Sequence, residues 1–293
     1  MSSSSRSLRL WFALALGIAA LSSCKKPATA DAPADAVVAP GTVDAADNDP
    51  GAYERVQQQL NARLEAIHDF EVTETIVAAD GETLRFRYSM QQPAFTAVEQ
   101  LGEGDARLRA FIFDGKTLAI VDDGAKTVVR QDLSQAQEQM MLTLHEVFSP
   151  FICEGWRPPL MRPAGGENGT VAVVVGSTVE LRTTVGTDGH RNVVVLDNDG
   201  GFVLKQTTDA SGAVVVGTTV TKSEVDAATK LRFPTAWNQL ENGQVATSTT
   251  VNAWSVNQGV SAARFSTTTP SGYTDVVAPA AAAPVAPTAP ATP

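Results

Sequence analysis

The sequence contains few of the residues that build metal centres, disulfide frameworks or nucleic-acid interfaces. It has 2 cysteines and 3 histidines among 293 residues, too few for a metal cluster or a disulfide scaffold. Lys and Arg number 22 against 32 Asp and Glu, a net charge of −10, so the chain lacks the basic surface that a phosphate backbone requires. Hydrophobic residues still make up 43% of the chain. The composition predicts a folded acidic protein that binds neither nucleic acid nor metal.

Catalytic motifs are also scarce. His68 beside Asp69 and His145 beside Glu146 are neighbours in sequence, which do not face each other on a helix, and neither pair belongs to a zinc motif. No Gly-x-Ser-x-Gly nucleophile elbow is present, and Cys153 has no identifiable base. We therefore predict no catalytic residue and no cofactor, and expect that the protein is not an enzyme.

The first 24 residues have the pattern of a lipoprotein leader. Arg6 and Arg9 precede the apolar run Leu10–Leu21, which is shorter than the roughly 20 residues of a membrane-spanning helix and typical of a signal peptide. The run ends in Leu21-Ser22-Ser23-Cys24, which resembles the bacterial lipobox. We predict that residues 1–23 are a signal peptide and that Cys24 is lipidated, with a chance cysteine after an ordinary signal peptide as the alternative. Acyl chains, worth about 0.8 kcal/mol per buried methylene, would then anchor the protein to the membrane.

The segments around the core have the composition of linkers. Residues 24–50 are rich in Ala, Pro and Asp and predict a lipidated, disordered tether, and residues 278–293 predict a Pro/Ala-rich tail. The folded domain is expected over residues 51–277. Because Lys25 rather than an aspartate follows Cys24, we predict the periplasmic face of the outer membrane.

Hydrophobic periodicity within the domain predicts one opening helix followed by many strands. Tyr53, Val56, Leu60, Leu64 and Ile67 follow helical spacing. The spacing then changes to two: apolar residues from Leu84 to Met90 alternate with Arg85, Arg87 and Ser89. Asp-Gly and Asn-Gly pairs, such as Asn242-Gly243, punctuate short β-branched runs. A second helix is expected over residues 134–148. The fold class is α+β, mostly β, with a long curved antiparallel sheet and two helices on its concave face.

Three segments of the domain are similar to the LolA/LolB-like family of periplasmic and outer-membrane lipoprotein carriers. They are the opening helix, the strand–turn–strand Phe111–Leu118 with Asp114-Gly115-Lys116 at its turn, and the closing run Ala263–Tyr273 with Arg264-Phe265 and Pro270-Ser271-Gly272. The resemblance implies an unclosed β-barrel with lid helices over a hydrophobic cavity. It also implies an arginine latch before a proline, where this chain has Gln92 instead. Arg85, Arg87 and Arg109 are expected on a solvated face.

A stripe of aromatic residues and methionines is the candidate ligand site, because flexible apolar side chains suit an acyl-chain cavity. The alternative is that these residues simply fill the core. The candidates are Phe86, Tyr88, Met90, Phe111, Phe113, Met140, Met141, Leu144 and Phe148.

Three functions remain open from the sequence. The leading hypothesis is a membrane-anchored envelope lipoprotein that binds the acyl chain of a lipoprotein or lipid, in sorting or transfer. The second is an envelope sensor or interaction module that uses the same fold to bind a partner protein. The third is a structural lipoprotein without a ligand.

Overall fold

Apolar and polar residues alternate along the strands of the described part of the chain, and these strands form one 14-stranded sheet. A computed structural model describes residues 49–92, 94–134, 170–185, 189–197 and 200–277. The first six strands are β1 (Asp69–Ala78), β2 (Thr83–Gln91), β3 (Phe95–Leu101), β4 (Arg107–Asp114), β5 (Thr117–Asp122) and β6 (Thr127–Asp132). The remaining strands are β7 (Thr170–Val175), β8 (Thr178–Val185), β9 (His190–Asp197), β10 (Phe202–Thr208), β11 (Val214–Val225), β12 (Arg232–Glu241), β13 (Gln244–Val256) and β14 (Thr274–Val277). Among these residues, two short 3₁₀ turns span Glu103–Asp105 and Ala262–Phe265.

The sheet is a meander except at two places where neighbouring strands are not consecutive in sequence: β1 lies beside β13, and β14 lies beside β6. Its strand order is β14-β6-β5-β4-β3-β2-β1-β13-β12-β11-β10-β9-β8-β7. Each neighbouring pair is antiparallel except β14 and β6, which are parallel. Within the described residues, β14 and β7 are the two edges and do not pair with each other, so the sheet is not closed into a barrel.

Helix α1 (Pro50–Ala66) precedes the sheet and packs on its second half. Asp49 caps the helix by accepting a hydrogen bond from the Ala52 amide at 3.1 Å, and Pro50 occupies the first turn, where a missing N–H costs nothing. The predicted apolar stripe then buries Val56 and Leu60. These side chains pack in one cluster with residues of β7–β10, among them Leu181. The helix is therefore held by its amphipathic face rather than by its own length.

The sheet has two distinct faces, which the register defines because cross-strand partners point the same way. Leu181 of β8 pairs with Val194, and this face continues through β10–β13 to Val72 of β1 and Tyr88 of β2. We call it the helix face, because α1 packs on it. The other side is called the opposite face.

The chain between β13 and β14, residues 257–273, crosses the opposite face of β3–β6 and is called the strap. Phe265 in its 3₁₀ turn is buried. It packs in one cluster with Ala97, Ala110 and Ala119, whose small side chains leave room for its ring. The first half of the sheet is thereby covered on the face that α1 does not use.

The predicted fold class is confirmed: the protein is mostly β, with a helix before a large sheet that is not closed. The Asn242-Gly243 turn also forms as expected, with φ angles of 51° and 73° that Asn and Gly tolerate. The second predicted helix lies outside the described residues beyond Ser134, as do Cys24, Cys153, the tether before Asp49 and the tail after Val277.

Candidate functional site

A continuous row of apolar side chains crosses β1–β6 and β14 on the helix face. Each member is the cross-strand partner of the next, so the row runs perpendicular to the strands. We call it the apolar row. It consists of Val72, Tyr88, Val98, Phe111, Ile120, Val129 and Val276.

Exposure increases along the apolar row from the middle of the sheet toward its β14 edge. The members on β1–β3 are buried, and Val98 is 0% exposed. The members on β4–β6 are half-buried, and Val276 on β14 is 42% exposed. Between β4 and β14 there are three strand spacings, or about 14 Å. The outer part of the row is therefore an apolar strip of half-buried and exposed side chains.

The strip has an apolar border on one side and a polar border on the other. The apolar border lies two residues further along each strand and is buried. It consists of Phe70, Met90, Phe113 and Leu118, with Thr96 of β3 as its polar member. On the other side lie Gln100, Arg109 and Asp122, which are cross-strand partners of one another. Arg109 Nε donates to Asp122 Oδ2 at 3.1 Å, and both side chains are about a third exposed. This arrangement suits a ligand with an apolar chain and a polar head.

The structure brings together the predicted cavity residues that it describes. Phe86, Tyr88, Met90, Phe111 and Phe113 share the helix face, and the rings of Phe86 and Tyr88 lie 6.1 Å apart. All of them except Phe111 are buried, with Met90 and Phe113 at 0% exposure, so no ligand touches those two in this conformation. Met140, Met141, Leu144 and Phe148 lie outside the described residues.

Gln92 stands where the resemblance implies a latching arginine, and it fastens the end of helix α1. Its Nε2 donates to the Ile67 carbonyl at 2.6 Å, and its backbone N–H donates to the His68 carbonyl at 2.8 Å. Asn257 supports the same junction by donating to the Ala66 carbonyl at 2.6 Å and accepting from the His68 amide at 2.7 Å. The neutral side chain at this position thus joins the helix to the sheet through carbonyl groups.

The expectation that three arginines lie on a solvated face is wrong for two of them. Arg85 and Arg87 do lie opposite to Tyr88, as alternation predicts. However, Arg87 is only 17% exposed, and it is ion-paired with Glu99 at 3.3 Å. Arg109 shares the helix face with Phe111, since it lies two residues before Phe111 on the same strand.

Sequence reasoning missed an ionic cluster that fastens the strap to the opposite face. The buried Glu99 carboxylate accepts from Arg264 of the strap at 3.0 Å and from Arg87 of β2 at 3.3 Å. Arg264 also pairs with Glu71 at 3.2 Å. Arg264 and Phe265 were visible as part of the closing motif, but their partners come from strands in the first half of the sequence. Only the three-dimensional register reveals them.

A second strap contact shifts the pKa of Asp123. Burial raises this pKa, but hydrogen bonds donated by Arg107 and by the Tyr273 hydroxyl lower it by more, so it lies below the ordinary value of 3.8. The same hydrogen bond to Asp123 raises the pKa of Arg107. The Asp114 carboxyl behaves similarly: burial raises its pKa, and the Thr117 amide and the Thr267 hydroxyl lower it below 3.8.

The described part of the chain contains neither a metal centre nor a membrane-spanning helix. No group of three or more His, Cys, Asp or Glu side chains there is placed to hold a metal ion. Among the same residues, no helix has the length and apolar character needed to cross a membrane.

Comparison with known proteins finds similarity at the level of structure. No family model matches the sequence, and no curated protein matches it. An outer membrane lipoprotein-sorting protein domain from Vibrio parahaemolyticus is 15% identical, with 73% of this chain and 97% of that one covered at a TM-score of 0.43. A LolA superfamily protein from Nitrosomonas europaea is 13% identical, with 72% and 97% covered, also at 0.43. The family that the sequence resembles is thus represented among similar solved structures.

A complex of MucA and MucB from Pseudomonas aeruginosa is also similar. The identity is 16%, the aligned region covers 74% of this chain and 60% of that one, and the TM-score is 0.32. At such identities and TM-scores, none of these similarities bears on the ligand or partner of this protein.

Proposed function

We propose that this protein is a membrane-anchored envelope lipoprotein that binds one acyl chain of a lipoprotein or lipid on the outer part of the apolar row. The proposal rests chiefly on the half-buried strip formed by Phe111, Ile120 and Val129. The predicted lipidation of Cys24 and the resemblance to lipoprotein carriers support it. The protein would act at the periplasmic face of the outer membrane, and binding involves no covalent step.

The driving force for binding is the removal of the acyl chain from water. Each methylene buried on the strip contributes about 0.8 kcal/mol, opposed by the ordering of the chain and of the protein groups around it. The polar border next to the strip, with Arg109 and Asp122, keeps the head of the ligand in water. The buried inner part of the row packs within the protein and does not contact the acyl chain.

A charge placed on the strip tests the proposal. Val129→Asp should weaken the binding of a fluorescent acyl probe by about tenfold or more, because burying one valine side chain is worth roughly 1.5–3 kcal/mol. The matched control is Val216→Asp, the same substitution on an exposed site on the helix face of β11. We expect the control to bind the probe like the wild type. Equal probe binding by Val129→Asp and wild type, with both chains folded by circular dichroism, would contradict the assignment.

A second candidate function is a structural lipoprotein without a ligand. The complete burial of Met90 and Phe113 favours it, because these predicted cavity residues are already covered in this conformation. Native mass spectrometry of residues 27–293, produced in a periplasm without the anchor, separates the two candidates. A copurified lipid mass that is lost on denaturation supports acyl binding. A bare protein mass, together with no uptake of the acyl probe, supports the structural role.

A further inference from the structure

Strand β14 differs from its neighbours in ways that make it the most replaceable element of the sheet. It is four residues long and forms the single parallel pairing among the described strands. Parallel pairing is slightly weaker per residue than antiparallel pairing. Its side chains from Thr274 to Val276 are exposed, and it lies at the edge of the sheet. Short exposed elements with few buried contacts open at low free energy.

Arg130 of β6 holds β14 through side-chain contacts on the opposite face. Its guanidinium donates to the Asp275 carboxylate and to the Thr269 hydroxyl, and its Nε donates to the Thr267 carbonyl at 2.7 Å. Thr269 in turn donates to Asp275 at 2.7 Å. On the helix face, Val276 lies across from Val129. The side of β6 that pairs with β14 therefore accepts an extended segment with a carboxylate on one face and a β-branched residue on the other.

We propose that the β6 edge is a docking site for an extended segment of a partner protein, and that β14 occupies this edge as an internal competitor. The partner segment carries a carboxylate for Arg130 and, directly after it, a β-branched residue opposite Val129. Strand addition at a sheet edge takes its affinity from main-chain hydrogen bonds and its specificity from alternate side chains. Both elements of that recognition are already made by β14.

The contacts that hold β14 are of the kind that a competitor can replace. The Asp275 side chain is 58% exposed, and exposed ion pairs contribute little to stability. If β14 were exchanged with that of a second copy of this chain, the same contacts would form. Association would also cost translational and rotational entropy, so the exchanged dimer would be no more stable than the chain with its internal strand. A partner segment that extends beyond four residues along β6 gains pairing that β14 does not make.

Release of β14 by charge reversal provides the test. In the full chain, Asp275→Lys replaces the partner of Arg130 with a like charge and should free the strand. The probe is a fluorescein-labelled peptide with the sequence of residues 271–277. We expect the peptide to bind the Asp275→Lys chain about tenfold more tightly than the wild type, because the internal competitor no longer reduces the competent fraction. The same peptide with Lys in place of its Asp should bind neither chain.

The matched control is Glu241→Lys, which makes the same charge change at an exposed site at the end of β12 and should bind the peptide like the wild type. Amide hydrogen exchange at residues 274–277 reports whether β14 is released. Free exchange without peptide binding would overturn the docking site. Wild-type protection in Asp275→Lys would overturn the claim that β14 is displaceable. A dimer formed by exchanged β14 strands would assign the edge to a second copy instead. No acyl probe is used, so the result is independent of the function proposed above.

Discussion

The two halves of the sheet are covered on different faces and by different means. In the second half, β7–β13, helix α1 packs Val56 and Leu60 onto the helix face of β7–β10, where both side chains are buried. In the first half, β1–β6 and β14, the strap covers the opposite face with Phe265 and ion pairs, while on the helix face Val129 is half-buried and Val276 is exposed. Helix α1 covers the helix face at β7–β10, whereas Val216 on the same face of β11 is exposed. The strap covers the other half on the opposite face, and Phe111, Ile120 and Val129 on its helix face are half-buried.

Truncating one buried side chain in the strap and one in helix α1 should show that the two halves of the sheet respond independently. Phe265→Ala deletes a buried ring from the strap cluster and should lower the free energy of unfolding by about 3–5 kcal/mol. Urea denaturation measures the loss. Amide hydrogen exchange should then increase first in the strap and β14, with α1 still protected.

Leu60→Ala is the counterpart on helix α1. It should cost about 2–5 kcal/mol and increase hydrogen exchange in α1 and β7 before the strap responds. If both variants increase exchange equally in both halves, the two covers are not independent and the comparison is wrong.

The ionic cluster under the strap should contribute less to the free energy of unfolding than the ring of Phe265 does. Glu99→Gln keeps the shape of the side chain but leaves Arg87 and Arg264 without their shared carboxylate. Because this cluster is largely buried, we expect a loss of about 1–3 kcal/mol in urea denaturation. Glu224→Gln, whose partner Lys222 is exposed, is the control and should change stability by well under about 1 kcal/mol. Similar losses in the two variants would show that Glu99 gains nothing from burial.

Acid should weaken the attachment of the strap to the sheet. Of the changes considered, this one should cause the smallest loss of stability. The pKa values of Asp114 and Asp123 in the folded chain lie below their ordinary value of 3.8. A carboxyl with a lowered pKa stabilises the fold fully above that ordinary value and loses this contribution as pH falls through its folded pKa. The pKa of Asp275 is also lowered, first by the Thr269 hydroxyl and then by Arg130.

Asp123→Asn should therefore lose less stability than the wild type when urea midpoints above and below pH 3.8 are compared. An identical acid-induced loss in the two chains would show that Asp123 does not contribute to the pH dependence.

The elements that depend on local pattern were predictable from the sequence. The stripe through Val56 and Leu60 predicts α1, and the alternation around Tyr88 assigns Arg87 to the other face, because both follow from the period of the backbone. The Asn242-Gly243 turn follows from the positive φ that its geometry needs.

What the sequence could not predict depends on distant partners. Nothing near Glu99 in the sequence indicates that Arg264 approaches it, and nothing near Phe265 indicates three alanines beneath its ring. The burial of Met90 and Phe113, which limits the candidate site to the outer strip, likewise depends on how the whole sheet is covered. Gln92 joins helix α1 to the sheet without the positive charge that the family resemblance implies, because its amide donates to a backbone carbonyl.

Photo-crosslinking with an acyl probe tests the central claim most directly. A fatty-acid analogue with a photoreactive group along its chain is bound to the anchor-free protein, irradiated, and located by peptide mass spectrometry. The account predicts crosslinks to the peptides that contain Phe111, Ile120 and Val129, and their loss in Val129→Asp. Crosslinks confined to residues of the second half, or none at all under conditions where a known acyl-binding protein is labelled, would contradict it.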